Sequence, residues 1–199
     1  MYWNHSFFIR IFKKCYFFLK STLINTLCVP IVEIWYNGFW DYRNNLISKG
    51  KDRTLIYDAY LERCSASIGV KSKFNSVPFT PHGLHGIHIS DGAHIGRNVT
   101  IMQNVTIGSN TLDDSKRIGA PTILDNVFIG ANASVIGNIT IGNNCRIGAN
   151  CCVFMDTADN QTIVMGGVRI INHLHRKENR FHYIKISDQN PEHNNATDV

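Results

Sequence analysis

The chain has little charge, no paired-cysteine motif and no long apolar run, and each shortage narrows what it can be. Asp, Glu, Lys and Arg together make 18% of the 199 residues, below the roughly one quarter usual in soluble domains. The six cysteines, Cys15, Cys28, Cys64, Cys145, Cys151 and Cys152, form no C-x-x-C pair, so no spacing signal marks a metal or redox site. No stretch offers the roughly 20 uninterrupted apolar residues of a membrane span. Lys20 interrupts the N-terminal apolar run and no small-residue cleavage site follows it, so no secretory signal is read. The expectation is a cytoplasmic protein with reduced thiols. Acidic residues are absent before Glu33, whereas Arg10, Lys13, Lys14 and Lys20 precede it. The net charge of +5 is therefore concentrated toward a basic, aromatic N-terminal arm.

What the chain does have is a ruler. Ile89, Ile95, Ile101 and Ile107 recur every sixth position, and after a break the beat resumes at Ile123, Ile129, Val135, Ile141, Ile147 and Val153. An earlier partial run holds Ile68 and Phe74. Helices repeat near 3.6 residues and strands near 2, so neither explains the spacing. Four residues after each mark stands a small or branched residue: Ala93, Val99, Val105, Val127, Ala133, Ile139, Cys145 and Cys151. Fixed-period self-similarity marks a solenoid. Six residues suit one short strand plus one corner, and three such units close a triangular coil of about 18 residues, each burying its faces against the coils above and below. Asn and Gly suit the corners because they tolerate positive φ. The recurring Asn-x-Thr/Ser triplets are read as corners rather than glycosylation sites. The ruled region, 68–158, allows about four or five coils. Cys145 and Cys151 occupy small-corner positions, where Cys acts as a compact hydrophobe.

The ruler breaks twice. Between Ile107 and Ile123 lies GSNTLDDSKRIGAPT, whose Asp113, Asp114, Lys116 and Arg117 cannot form a buried strand; it reads as a loop thrown outward, and loops on rigid scaffolds concentrate binding groups. Counting forward from Ile68 and Phe74 puts a mark at Thr80, whereas counting back from Ile89 puts one at Gly83. A local irregularity therefore lies between residues 81 and 88, within TPHGLHGIHISDGAH, where His82, His85, His88 and His94 cluster. Such a bulge re-aims side chains. His88 and His94 fall on regular repeat positions and read as wall histidines. The His82–His85–His88 spacing brings no Cys or carboxylate at matching intervals, so no metal site is expected.

The runs IGRNVTIMQNVTIG and APTILDNVFIGANASVIGNITIGNNCRIGANCCV resemble the hexapeptide-repeat acyltransferases, nearest the serine acetyltransferase-like branch that includes sugar and polysaccharide O-acetyltransferases. The resemblance covers about residues 65–172. It implies a mainly β protein, a left-handed parallel β-helix, assembled as a homotrimer with acetyl-CoA in a groove between neighbouring prisms. Acetyl transfer to a hydroxyl needs a base, for which His suits. The PHGLHGI run is similar to the family's Asp-His-x-x-Gly-Ile pattern with one residue inserted, which places the catalytic His on His82; an ungapped alignment leaves His85 nearest. The resemblance also implies cofactor contacts at Ala131 and Ala149, at Gly108 and Ser109 near the thioester, and at Arg169 near the nucleotide. The chain departs from the pattern at Ser67 and Pro81, where an orienting carboxylate is expected, and at Ala120, where serine acetyltransferases usually carry a further His. The implied activity is acetyl-CoA-dependent O-acetylation of a sugar hydroxyl, with a surface polysaccharide as the expected acceptor and serine O-acetyltransferase and a non-catalytic binding prism as alternatives. No metal and no nucleic-acid partner is expected.

Three segments follow: an N-terminal helical region at 1–62, the β-helix at 63–172 with a protruding loop at 109–122, and a polar tail at 173–199. Phe8, Phe12, Cys15, Leu19 and Leu23 fall at helical spacing opposite Arg10 and Lys14, a basic amphipathic pattern expected to extend until Pro30 breaks it. Two readings of it stay open: contact with the inner face of an anionic membrane, or packing on the prism or between subunits. A short helical region before the prism leans toward a sugar-directed enzyme.

Overall fold

The computed structural model describes residues 22–23, 26–166, 169–172 and 175. The basic aromatic segment 1–21 and most of the polar tail lie outside the described residues. The rest is a three-faced left-handed β-helix with a helical cap. The first face stacks β1 (Ser67–Ile68), β3 (His88–Ile89), β6 (Thr106–Gly108), β9 (Ser134–Ile136) and β12 (Cys152–Val153). The second stacks β2 (Lys73–Phe74), β4 (His94–Ile95), β7 (Thr122–Ile123) and β10 (Thr140–Ile141). The third stacks β5 (Thr100–Ile101), β8 (Phe128–Ile129), β11 (Arg146–Ile147) and β13 (Gln161–Val164), and ends in β14 (Arg169–Asn172). Among the named strands every pairing is parallel except β13–β14. That closing hairpin was not foreseen, because it abandons the six-residue beat.

The ruler explains the prism. All ten marks from Ile89 to Val153 are at most 3% exposed, and so are the eight corner residues from Ala93 to Cys151. Cys145 is among them, its thiol 3.0 Å from the Ala158 carbonyl. A regular coil takes 18 residues, as where Thr122 pairs with Thr140. In the first coil the partner lies 21 positions on, Ser67 with His88 and Phe74 with Ile95. The three extra residues are absorbed by the turn at 81–86, inside the interval where the two counts disagree. A larger insertion separates β6 from β7. It is a folded loop pinned at its neck by two main-chain bonds between Asn110 and Gly119, each 2.9 Å.

The cap comprises α1 (26–36), α2 (Phe39–Ser48) and α3 (Leu55–Arg63). Pro30 does not stop α1, contrary to the sequence expectation. An interior proline forfeits one main-chain bond and costs about 3 kcal/mol, and buried Cys28 and Val32 on either side of it anchor the helix against the core. The helix ends instead where Asn37 turns left-handed at φ 54° and Gly38 N–H donates to the Val32 carbonyl at 3.0 Å. The cap covers the open edge of β1, which would otherwise present unpaired main-chain groups. Tyr57 Oη donates to the Ile68 carbonyl at 2.9 Å, and buried Arg43 donates to the Val70 carbonyl at 3.1 Å and to that of Ser72.

Candidate active site

Three edges join the faces, and the candidate residues divide between two of them. The edge from the third face to the first carries the turn at 81–86 and, below it, the corners 103–104, 131–132 and 149–150. Main-chain bonds tie these into one column: Asn104 N–H to the His85 carbonyl at 3.0 Å, Asn132 N–H to the Gln103 carbonyl at 3.1 Å, and Asn150 N–H to the Ala131 carbonyl at 2.8 Å. His82, His85, Ala131 and Ala149 therefore share one edge. With neighbouring strands about 4.8 Å apart, roughly 14 Å separates His85 from Ala149.

The turn is shaped by two glycines and one anchor. Gly83 and Gly86 both sit at φ +66°, and a Cβ on Gly86 would fall 2.0 Å from Asn104 Oδ1. Leu84 and Ile87 are buried at 6% and 1% exposure, so they fasten the turn while His82 and His85 stand in solvent. Neither ring has a hydrogen-bond partner among the described residues, and Ser67 and Pro81 supply no carboxylate. His94 is satisfied by Asn75 Oδ1 at 3.1 Å, as a wall histidine would be, and His88 is exposed.

Ala131 and Ala149 stack as expected from their 18-residue spacing, in register with Phe128–Arg146 and Ile129–Ile147. The approach is close: a Cβ on Gly130 would meet Ala149 N at 2.6 Å. Small side chains there leave main-chain groups open to an extended ligand, as a sheet edge is open to a peptide. At the lower end of this edge a largely apolar crevice of about 230 Å³ lies between Asn150, Cys152, Val164 and Met165. Arg169 pairs through its backbone with Val164, which brings it to the same end.

Gly108 and Ser109 lie elsewhere. They stand at the far end of the first face, where the chain leaves β6 for the folded loop. Ser109 is exposed, as are Asp113, Asp114 and Lys116. The loop is held down by Arg117, whose Nη1 donates to Asp156 Oδ2 at 2.9 Å. Asp156 is held below the usual carboxylate range, first by Thr140 N–H and then by Arg117. Within one chain the two candidate groups are thus a face apart. Sequence reasoning missed Gln103, beneath His85, whose Oε1 is buried without a partner among the described residues; hexapeptide spacing does not separate it from other corner residues.

Residues 120–154 match the bacterial transferase hexapeptide family model (six repeats). The hexapeptide stretch includes Ala131 and Ala149 and stops short of the turn at 81–86. Among solved structures the chain is similar to serine acetyltransferase 1 of Entamoeba histolytica in complex with L-cysteine, at 30% identity over 64% of this chain and 50% of that one, TM-score 0.54. It is similar to serine acetyltransferase of Neisseria gonorrhoeae at 29% identity over 65% of this chain and 50% of that one, TM-score 0.53. Apo soybean serine acetyltransferase matches at 28% identity over 59% and 47%, TM-score 0.52. The chain spans about half the length of these relatives. No curated protein matches it.

Proposed function

We propose that the chain is an acetyl-CoA-dependent O-acetyltransferase acting on a sugar hydroxyl, assembled as a homotrimer. The observation that carries the reading is the hydrogen-bonded column placing His82 and His85 above Ala131 and Ala149 on one edge. Acetyl-CoA lies along that edge, pantetheine against the main chain at 131 and 149 and nucleotide toward Arg169. The His82 imidazole takes the proton of the acceptor hydroxyl as its oxygen bonds to the thioester carbonyl carbon. The C–S bond then breaks, and the departing thiolate receives that proton. A main-chain N–H at Gly108 or Ser109 of a neighbouring copy steadies the oxyanion, since those residues lie a face away from the histidines of their own chain. The reaction runs in the cytoplasm, where acetyl-CoA is available.

A second reading, serine O-acetyltransferase, is favoured by the solved relatives, all three named as serine acetyltransferases. Against it stands Ala120 in the place of the further histidine. Ala120 stands next to Gly92, on which a Cβ would lie 3.0 Å from Ala120 Cβ. The test is acetyl-CoA turnover against monosaccharides, nucleotide sugars, oligosaccharides and free serine. Turnover with serine alone replaces the sugar reading. Absence of heat stabilisation by millimolar CoA replaces both with a non-catalytic prism.

A further inference from the structure

The helical cap meets the prism across a cleft of about 540 Å³, and none of the residues assigned to acetyl transfer lines it. One wall is the α2–α3 connection with Lys51 and Asp52; the other is the first corner, from Val70 to Phe74. Lys51, Lys71 and Lys73 are exposed on these walls, and Arg43, 2% exposed, lies at the base. Asp52 is the one carboxylate among the described residues lining it.

Arg43 is an unusual base for a cleft. Its Nη2 is shared between the carbonyls of Gly69, Val70 and Ser72 and the Ser72 hydroxyl. Among the described residues its Nε has no partner, and the guanidinium lies 4.6 Å over the Phe74 ring. Burial pulls the Arg43 pKa down, and the titratable group that opposes this is Tyr57, not a carboxylate. A buried cation without a counter-ion is costly. An anion entering between the three lysines supplies the missing charge. Ligand pockets run roughly 300–1,000 Å³, so the volume admits more than a bare phosphate, and Ile47 and Val70 give the remainder an apolar wall.

We propose that this cleft binds a phosphate-bearing ligand, its phosphate or pyrophosphate between Lys51, Lys71 and Lys73 with Arg43 behind. Guanidinium and ammonium groups are the usual phosphate partners. The inference does not depend on acetyl transfer. The same chemistry is offered by a soluble phosphorylated metabolite and by an anionic lipid headgroup, and two probes separate them.

The full chain is titrated calorimetrically with inorganic pyrophosphate in the presence of saturating CoA, and sedimented with phosphatidylglycerol vesicles. The comparison variant is the Lys71→Gln, Lys73→Gln double substitution, with His82→Ala as control. Saturable pyrophosphate binding that weakens tenfold or more in the double variant, weakens with added salt and is unchanged in the control supports a soluble ligand. Vesicle binding alone, lost in the double variant, supports a headgroup. The unliganded melting temperature of the variant should match the parent, because both lysines are exposed. No saturable binding of either probe, or binding of which neither the pyrophosphate nor the vesicle component is weakened by the double substitution, overturns the proposal.

Discussion

Two edges of the prism are built from the same corner, an asparagine in left-handed conformation, and differ in what the side chains do. Between the second and third faces, Asn98, Asn126, Asn144 and Asn160 stand at φ 53–62°. Each amide donates to the next, at 2.7, 2.7 and 3.0 Å, in an unbroken ladder. Stacked amides of this kind satisfy one another along a column. Between the third and first faces, the ladder has one described rung, Asn104 to Asn132 at 3.0 Å. Above it sits the glycine-bent turn with His82 and His85; beside it stand alanines. The first edge is closed by its own side chains, and the second keeps imidazoles and main chain available. The comparison teaches that the repeat supplies rigidity wherever it is regular, and a candidate site wherever three extra residues or a missing side chain interrupt it.

The sharpest way to break that contrast is His82→Ala, expected to lower kcat/KM with acetyl-CoA by about 10²–10⁴ while leaving the melting temperature unchanged. If the loss falls on His85→Ala instead, the base moves three residues along the same turn. Next in size, Gly86→Ala forces a Cβ into Asn104 at positive φ and should cost about 2–3 kcal/mol in denaturant unfolding. Gly83→Ala, with its nearest neighbour 3.7 Å away, should cost about 1 kcal/mol. Equal costs would mean that the turn is not braced on the second coil. Asn126→Ala, mid-ladder and 6% exposed, should cost about 1–2 kcal/mol by removing the donor to half-buried Asn144 Oδ1 and the acceptor of exposed Asn98 Nδ2, more than Asn132→Ala on the exposed edge.

The smallest effect concerns the loop clamp. Arg117 and Asp156 are 42% and 57% exposed, so Asp156→Asn should cost under about 1 kcal/mol. The folded carboxyl is held below its ordinary value of 3.8. Its contribution is therefore present above pH about 3.8 and lost as pH falls through the lower folded value. Parent and variant unfolding curves should converge at the acid end, and divergence there would assign the clamp to something other than this charge.

Much of this was legible beforehand for one reason: a six-residue beat leaves few ways to bury its aliphatic marks. The marks, the corners, the position of the outward loop and the disagreement of the two counts at 81–88 all follow from spacing along the chain. Pro30 was misread because a local rule took no account of the packing around Cys28 and Val32. The Asn37-Gly38 pair at which the helix stops is itself a turn signal in the sequence. The closing hairpin of β13 and β14 leaves the repeat, so the repeat could not announce it. The cleft over Arg43 was invisible because it joins residue 43 to residues 51 and 71–74, and no periodicity links a helix to a coil corner.

The order of residues alone determined that this chain would coil on a six-residue pitch, since only that path hides Ile89 through Val153 from water. Which histidines and alanines share an edge, that Gly108 and Ser109 stand a face away from them, and that a buried guanidinium lines one cleft with three lysines were decided by the tertiary structure. Those relations depend on how coils stack and where the cap lands, and each insertion shifts which residues become neighbours without altering the local pattern on either side of it.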